Sequence, residues 1–319
     1  MRTPTTALAA LLGLAMAAPA LGQAPVSMPV SGPPDWAGFK AHADKAKALA
    51  GDEWKAAAEY FCSPGVRVNL ISDPEIAPTR LFDNVWALGD EGTTVYAVTT
   101  PDGGIVLIDA LYPDKYEKTL LPQMAKAGLD PAKVKYVLIT HGHADHFGDT
   151  MAIAKRTGAK VVAITEIADE INSSGEGVEA IDTNLGGTAE FDWGSVRLVP
   201  ALHTSTTPNG TVSVPAGLVV EIGDKRVYHL GDTALFSDLA LPKRRGHIDV
   251  ALMCIGGHYT MDRFDAVVAA EFVGADQVIP CHYDTFPPIE TDAEAFKGDV
   301  ESSTGASVVI LAPGESHAV

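Results

Sequence analysis

Residues 141–146 read His-Gly-His-Ala-Asp-His, directly after the apolar run VKYVLIT and before a helical pattern. A segment this rich in ligand groups constrains the fold, because a strand end must present it where other polar groups can reach it. In an extended loop His141 and His143 point to the same side, so two imidazoles can converge on one cation. Asp145 and His146 fall on the turn into the helix, where a carboxylate and a third imidazole can hold a second cation beside the first. Three of the ten histidines of the chain lie in this one loop, and clustering of that kind is a metal signature.

Four groups in one loop cannot complete two coordination shells, so residues from other strand ends are needed. The sequence offers three. His203 follows VRLVPAL, Asp232 follows RVYHL in the tripeptide GDT, and His282 follows QVIPC. Each stands where an apolar strand runs out into a loop, the place where α/β proteins collect functional groups.

The surrounding pattern is α/β. From Leu81 short strands (LFDNVWALGD, TTVYAVTT, GIVLIDA) are separated by Gly, Asp and Pro turns, and a helix is expected from Pro113 to about Ala127. After the histidine loop come a helix from about Phe147 to Arg156 and the strand KVVAI. The second half repeats this grammar, with strands in FDWGSVRLVPAL, GLVVEIG, RVYHL, IDVALMC and QVIPC and a helix over Met261 to Gly274. A last helix near Asp292, with Thr291 and Glu294 placed as a capping box, precedes the strand ASVVIL. Upstream, 35–80 reads as an N-terminal extension with a helix from Asp35, a plausible N-cap, to about Phe61. The main α/β domain is assigned to 81–319.

Residues 1–22 have Arg2 as their only charge and an apolar run from Ala7 to about Pro19, then small residues ahead of Gln23. This reads as a cleavable signal peptide, too short to span a bilayer, followed by a linker over 23–34. A periplasmic or secreted protein with no stable membrane association after cleavage is expected. With 23 basic against 41 acidic residues, phosphate-backbone binding has no electrostatic support, so a small-molecule substrate is expected and a nucleic acid is not. The oligomeric state is not encoded in any feature of the sequence. Cys254 and Cys281 close neighbouring strand-like runs; a disulfide between them and a pair of small buried hydrophobes are both compatible with the spacing.

The HxHxDH loop, a later His, an Asp in GDT and a late His together resemble the ordered signature of the metallo-β-lactamase superfamily over about Leu81 to Glu315. The resemblance implies a four-layer αββα sandwich. It also implies that His141, His143 and His203 bind one metal, that Asp145, His146 and His282 bind a second, and that Asp232 bridges them. Residues 82–140, with NVWALGD and GGIVLIDA, resemble the third subclass of metallo-β-lactamases. The second half, with VYHLGDTALFSD, DVALMCIGGHYTM and IPCHYDTFPPIE, resembles a group of metal-dependent hydrolases of poorly defined substrate. Family lactamases of that subclass lack the bridging carboxylate that Asp232 provides, and their GHTPG is replaced here by LHTSTTPNG.

Two zinc ions are the expected cofactor, with manganese or iron compatible with the same ligands. The expected chemistry is attack of a metal-bound hydroxide on an ester, lactone or phosphodiester-like centre, with Asp145 orienting the nucleophile and passing on its proton. The alternatives are a β-lactam hydrolase and a metal-binding module without turnover. His229 is a candidate to support the metal ligands, His258 and Tyr259 are candidate donors to an oxyanion, and Asp109 is expected to support the loop rather than bind metal.

Overall fold

Each half of the chain lays down four antiparallel strands and then three parallel ones. The computed structural model describes residues 36–311, apart from 53, 56–57, 60–61, 63–74, 83, 91–92 and 286. The first half contributes β1 (Thr79–Phe82), β2 (Val85–Gly89), β3 (Thr94–Thr99), β4 (Ile105–Ile108), β5 (Val134–Leu138), β6 (Lys160–Ile164) and β7 (Ala180–Thr183), which lie in that order in one sheet. The second half contributes β8 (Thr188–Phe191), β9 (Gly194–Pro200), β10 (Ala216–Ile222), β11 (Lys225–His229), β12 (Val250–Cys254), β13 (Gln277–Cys281) and β14 (Ser307–Val308), again in chain order. Pairing is antiparallel from β1 to β4 and from β8 to β11, and parallel thereafter in both sheets.

The sheets stack face to face and carry helices outside. Side-chain alternation assigns the two faces. Val196, Leu198, Leu218, Val220, Val250 and Leu252 join the core shared with the first sheet. Val199, Val219, Ala251 and Met253 face the opposite way, against Ala266, Ala269 and Val273 of α6 (Arg263–Val273) and Phe296 and Val300 of α7 (Ala293–Ser303). On the first sheet, Ile153 and Ala154 of α4 (Thr150–Thr157) and Ile167, Ala168 and Ile171 of α5 (Thr165–Ser173) are buried in the same way. The architecture is the expected αββα sandwich. Strands β4 and β12 are buried at every position, as parallel strands covered on both faces require.

Several local expectations change. The N-terminal helix α1 spans Trp36–Ala50 and is interrupted at Gly51, which turns left-handed at φ 59°; helical bonding resumes with the Ala58 N–H on the Trp54 carbonyl, and residue 61 lies outside the described residues. The helix expected from Pro113 begins later, with Asp114 at φ 67°; a π-helical turn over Tyr116–Leu120 leads into α2 (Leu121–Lys126). The segment after the histidine loop divides into α3 (Ala144–Phe147) and α4. FDWGSVRLVPAL holds the end of β8 at Phe191, a two-residue turn and then the whole of β9, rather than one uninterrupted strand. The last helix is capped by Asp292, which accepts a hydrogen bond from the Ala295 N–H at 2.8 Å, so Thr291 is not its cap. The expected signal peptide, the linker and the Asp35 cap lie outside the described residues. Among the described residues no helix is long and apolar enough to cross a membrane.

Candidate metal centre

Five strand ends meet at one rim of the sandwich. Asp109 follows β4, His141 follows β5, His203 follows β9, Asp232 follows β11 and His282 follows β13. Asp109 and Asp232 occupy equivalent places, each just beyond the fourth strand of its sheet. Asp109 and His282 hold positive φ values of 64° and 56°, strained for residues with a Cβ and costing about 1–3 kcal/mol each, which marks a geometry fixed by its surroundings. Gly231 is required before Asp232: its φ is 66°, and a Cβ there would stand 2.6 Å from the Ala216 carbonyl oxygen.

The structure brings together all seven residues proposed as ligands from the sequence. His141, His143 and His203 place one ligand atom each within 4.8 Å of one another, and so do Asp145, His146 and His282. Asp232 stands between the two groups. Its Oδ2 is 3.3 Å from His282 Nε2, 3.7 Å from both His146 Nε2 and His203 Nε2, and 4.0 Å from His141 Nε2.

The donor set fits metal ions. His141 Nε2 and His143 Nδ1 face each other at 3.0 Å. Two nitrogens bound at ~2.0–2.1 Å to one tetrahedral ion stand about 3.3 Å apart, so these atoms are already spaced as neighbouring ligands. His282 Nδ1 is buried without a hydrogen-bond partner, but its Nε2 points at Asp232.

Supporting contacts fix the rings. Asp109 accepts the Thr140 N–H at 2.9 Å on Oδ1, and its Oδ2 lies 2.6 Å from His146 Nδ1, which leaves His146 Nε2 directed at Asp145 and Asp232. The Gly142 N–H donates to Ser205 Oγ at 2.9 Å, tying the histidine loop to the segment after His203. That segment is held in turn by Glu170 of α5, which accepts from Thr207 Oγ1 at 2.6 Å and Asn209 Nδ2 at 2.7 Å.

The charge balance calls for cations. Burial holds His141 well below the ordinary imidazole range and also lowers His143 and His203, so these three present neutral, ligand-competent rings. Burial opposes the charged forms of His146 and His282 as well, but Asp145, Asp232 and Asp109 carry His146 upward and Asp232 carries His282 upward. Burial works against ionisation of Asp145 and Asp232 too, yet His146 pulls Asp145 down and His282 and His146 pull Asp232 down. Protonated imidazoles therefore compensate buried carboxylates where bound cations would do so.

The remaining candidates divide. His229 is buried, its Nδ1 accepts the Gly231 N–H at 2.9 Å, and burial pushes its pKa down to about 4. It orients the turn that carries Asp232. His258 and Tyr259 pack edge to face with ring centroids 4.5 Å apart in a loop whose Met261 N–H bonds to the Thr233 carbonyl. Neither lines the cavity at the seven-residue cluster. That cavity has three walls the sequence did not single out, Thr93, Thr94 and Tyr96, beside Cys281 and Thr285. All three cysteines are unbridged.

Comparison with known proteins agrees with this geometry. The beta-lactamase superfamily domain matches residues 105–283. A UPF0173 metal-dependent hydrolase of Oenococcus oeni is 47% identical over 178 residues, 54% of this chain and 77% of that protein. One from Thermus thermophilus is 45% identical over 193 residues, covering 60% of this chain and 84% of its own length. Among solved structures, a metallo hydrolase from Ignicoccus hospitalis has 32% identity and a TM-score of 0.54, with 76% of this chain and 97% of that one covered. The metallo-beta-lactamase fold protein YhfI of Bacillus subtilis, at 16% identity and TM-score 0.55 over 76% of this chain and 96% of its own, shares the fold. The chain belongs to the beta-lactamase superfamily and is a metal-dependent hydrolase.

Proposed function

We propose that the chain holds two divalent cations, zinc being the best match to the ligands, and hydrolyses an ester, lactone or phosphodiester-like bond. The observation that carries this reading is the position of Asp232, whose Oδ2 lies within 4.0 Å of the Nε2 atoms of four histidines. A carboxylate so placed can bridge two ions, with His141, His143 and His203 holding one and Asp145, His146 and His282 the other. When bound, two such cations would polarise the substrate oxygen and make water acidic enough to attack at neutral pH.

The chain's own groups do the rest. Asp145, with 23% of its side chain accessible and Oδ2 3.5 Å from His146 Nε2, takes the proton of the attacking water and returns it to the leaving oxygen. The acyl–oxygen or phosphoryl–oxygen bond breaks, the water oxygen stays on the electrophilic centre, and the leaving group departs protonated. Asp109 holds His146 in one tautomer, and His229 keeps the Gly231–Asp232 turn in place. No serine or cysteine nucleophile is needed.

The test is a hydrolysis screen on purified, metal-assayed protein with esters, lactones, phosphodiesters and β-lactams. Turnover of activated esters, lactones or phosphodiesters, with much weaker β-lactam opening, is expected. Two equivalents of metal without turnover of any substrate would point to a binding module. Penicillin or carbapenem opening with kcat/KM of ~10⁴ M⁻¹s⁻¹ or more, with the other substrates ignored, would point to a lactamase.

A further inference from the structure

A cavity of about 60 Å³ lies against Asp145, His146, Asp232 and His282 of the seven-residue cluster; it has a neighbour of about 320 Å³, and the two share Thr94, Tyr96, Cys281, His282 and Thr285 as walls. The larger chamber lies between the first three strands of one sheet and β13 of the other, near the lower end of the ~300–1,000 Å³ typical of small-molecule sites. Its aliphatic lining is Ile76, Leu81, Ala87, Ile279, Pro280 and Leu311. A group attached to a reacting centre at the cluster has this chamber as its adjoining space.

The charges of these walls are one-sided. Among the described residues no lysine or arginine lines either chamber. Beyond the cluster and its Asp109 support, the carboxyl side chains on the walls are Asp90 and Asp284. The nearby ammonium of Lys115 is buried and lies 2.5 Å from Asp90 Oδ2, so it is committed to that carboxylate. Asp284 is exposed, and its Oδ1 accepts the Thr291 N–H at 2.7 Å. The uncharged polar groups of the larger chamber are the hydroxyls of Thr79, Thr94, Thr285, Tyr96 and Tyr283 and the Cys281 thiol. An anion seated here would give up hydration without gaining a cationic partner and would meet Asp284 as a like charge.

We infer that the substrate is an ester or lactone whose flanking arm is uncharged and largely aliphatic, and that a remote carboxylate or phosphate on that arm is turned away. The inference rests on the hydrolytic reading of the site and narrows it, since penicillins and carbapenems carry such a remote carboxylate and nucleic-acid diesters carry further phosphates. The reacting group itself can be of either charge, because it meets the cluster and not the chamber.

The test separates charge selection from turnover. Two hydroxamates with the same metal-binding head, one ending in a methyl ester and the other in the matching carboxylate, are titrated calorimetrically against the full-length, zinc-loaded protein. The neutral arm is expected to bind about ten-fold or more tightly than the anionic one at low salt, with the ratio shrinking as salt rises. Thr285→Lys, which puts an ammonium on the shared wall, is expected to shrink the ratio by about three-fold or more, and Asp284→Asn to shrink it less. Equal affinities, tighter binding of the carboxylate, or a ratio unmoved in both variants would overturn the inference. The paired substrates 4-nitrophenyl methyl adipate and 4-nitrophenyl hydrogen adipate, whose longer arm disfavours self-attack by the free carboxylate, give the kinetic counterpart, with the neutral ester preferred. Selective hydroxamate binding without hydrolysis of either ester would leave the charge selection standing and remove the ester-hydrolase reading.

Discussion

Asp109 Oδ2 lies 2.6 Å from His146 Nδ1, while the Oδ1 of the same carboxylate receives the backbone N–H of Thr140, one residue ahead of the histidine loop. One side chain thus fixes both the start of the loop and the ring orientation of its last histidine. Asp109→Ala is expected to weaken the second cation about 10–100-fold and leave the His141, His143 and His203 group less affected. Chelator competition, followed as loss of the first and second metal equivalents, measures this. Simultaneous loss of both, or of neither, would contradict it.

Glu170 supports the segment after His203 from a distance, through Thr207 and Asn209. Hydrogen bonds to a charged group contribute about 1.5–3 kcal/mol, and partial exposure reduces that, so Glu170→Ala should lower stability by about 1–2 kcal/mol. It should also raise KM more than it lowers kcat, as expected when the segment that follows His203 loosens. Denaturant unfolding and steady-state kinetics check the two parts separately.

Cys254 is buried, and its thiol is pushed up to about 12 by burial. At pH 8 only about one molecule in 10⁴ would carry a thiolate there, so labelling of native protein should be slow at Cys254 and become fast on denaturation. A thiol assay by mass spectrometry before and after urea measures both. Rapid labelling of Cys254 in the native protein would contradict the packing described.

His247, on the surface, lies 2.8 Å from Asp276, and that hydrogen bond with the Asp276 charge raises its pKa above the ordinary 6.5. The folded state therefore binds this proton more tightly than the unfolded state. The contribution is fully present below pH ~6.5 and is lost as pH rises through the higher folded-state value. The stability of wild type and His247→Gln should differ most at low pH and converge in alkali, and an NMR titration of the His247 ring should give a midpoint above 6.5. A midpoint at or below 6.5 would remove the pair.

Residues 1–22 are proposed to be removed on export. N-terminal sequencing of protein from the periplasm or medium should then begin at Gln23. Recovery of the intact N-terminus from the cytoplasm alone would relocate the enzyme.

The convergence of the seven His and Asp side chains was legible because its chemistry is local. HGHADH carries four donors in consecutive turns, and each of the other three residues follows an apolar strand whose end the two-sheet topology brings to the same rim. The chamber beside it was not legible. Tyr96 and Thr94 sit in TVYAVT, a pattern of ordinary core strand, and only the stacking of β3 against the sheet containing β13 turns them into walls facing Cys281 and Thr285. Helix starts were misplaced where a non-glycine residue takes positive φ, as at Asp114, because no local signal in the sequence marks such a position. Asp292 outcompeted Thr291 as a cap for a similar reason, since either residue type can fill that position and the chain path decides.

The most direct measurement is anomalous diffraction at the zinc edge on crystals of the zinc-loaded protein. Two peaks are predicted. One should lie ~2.0–2.2 Å from ligand atoms of His141, His143 and His203, the other at the same range from Asp145, His146 and His282, with Asp232 reaching both. A single peak, or a second one outside this group of residues, would contradict the bridged two-cation centre on which the proposed chemistry depends.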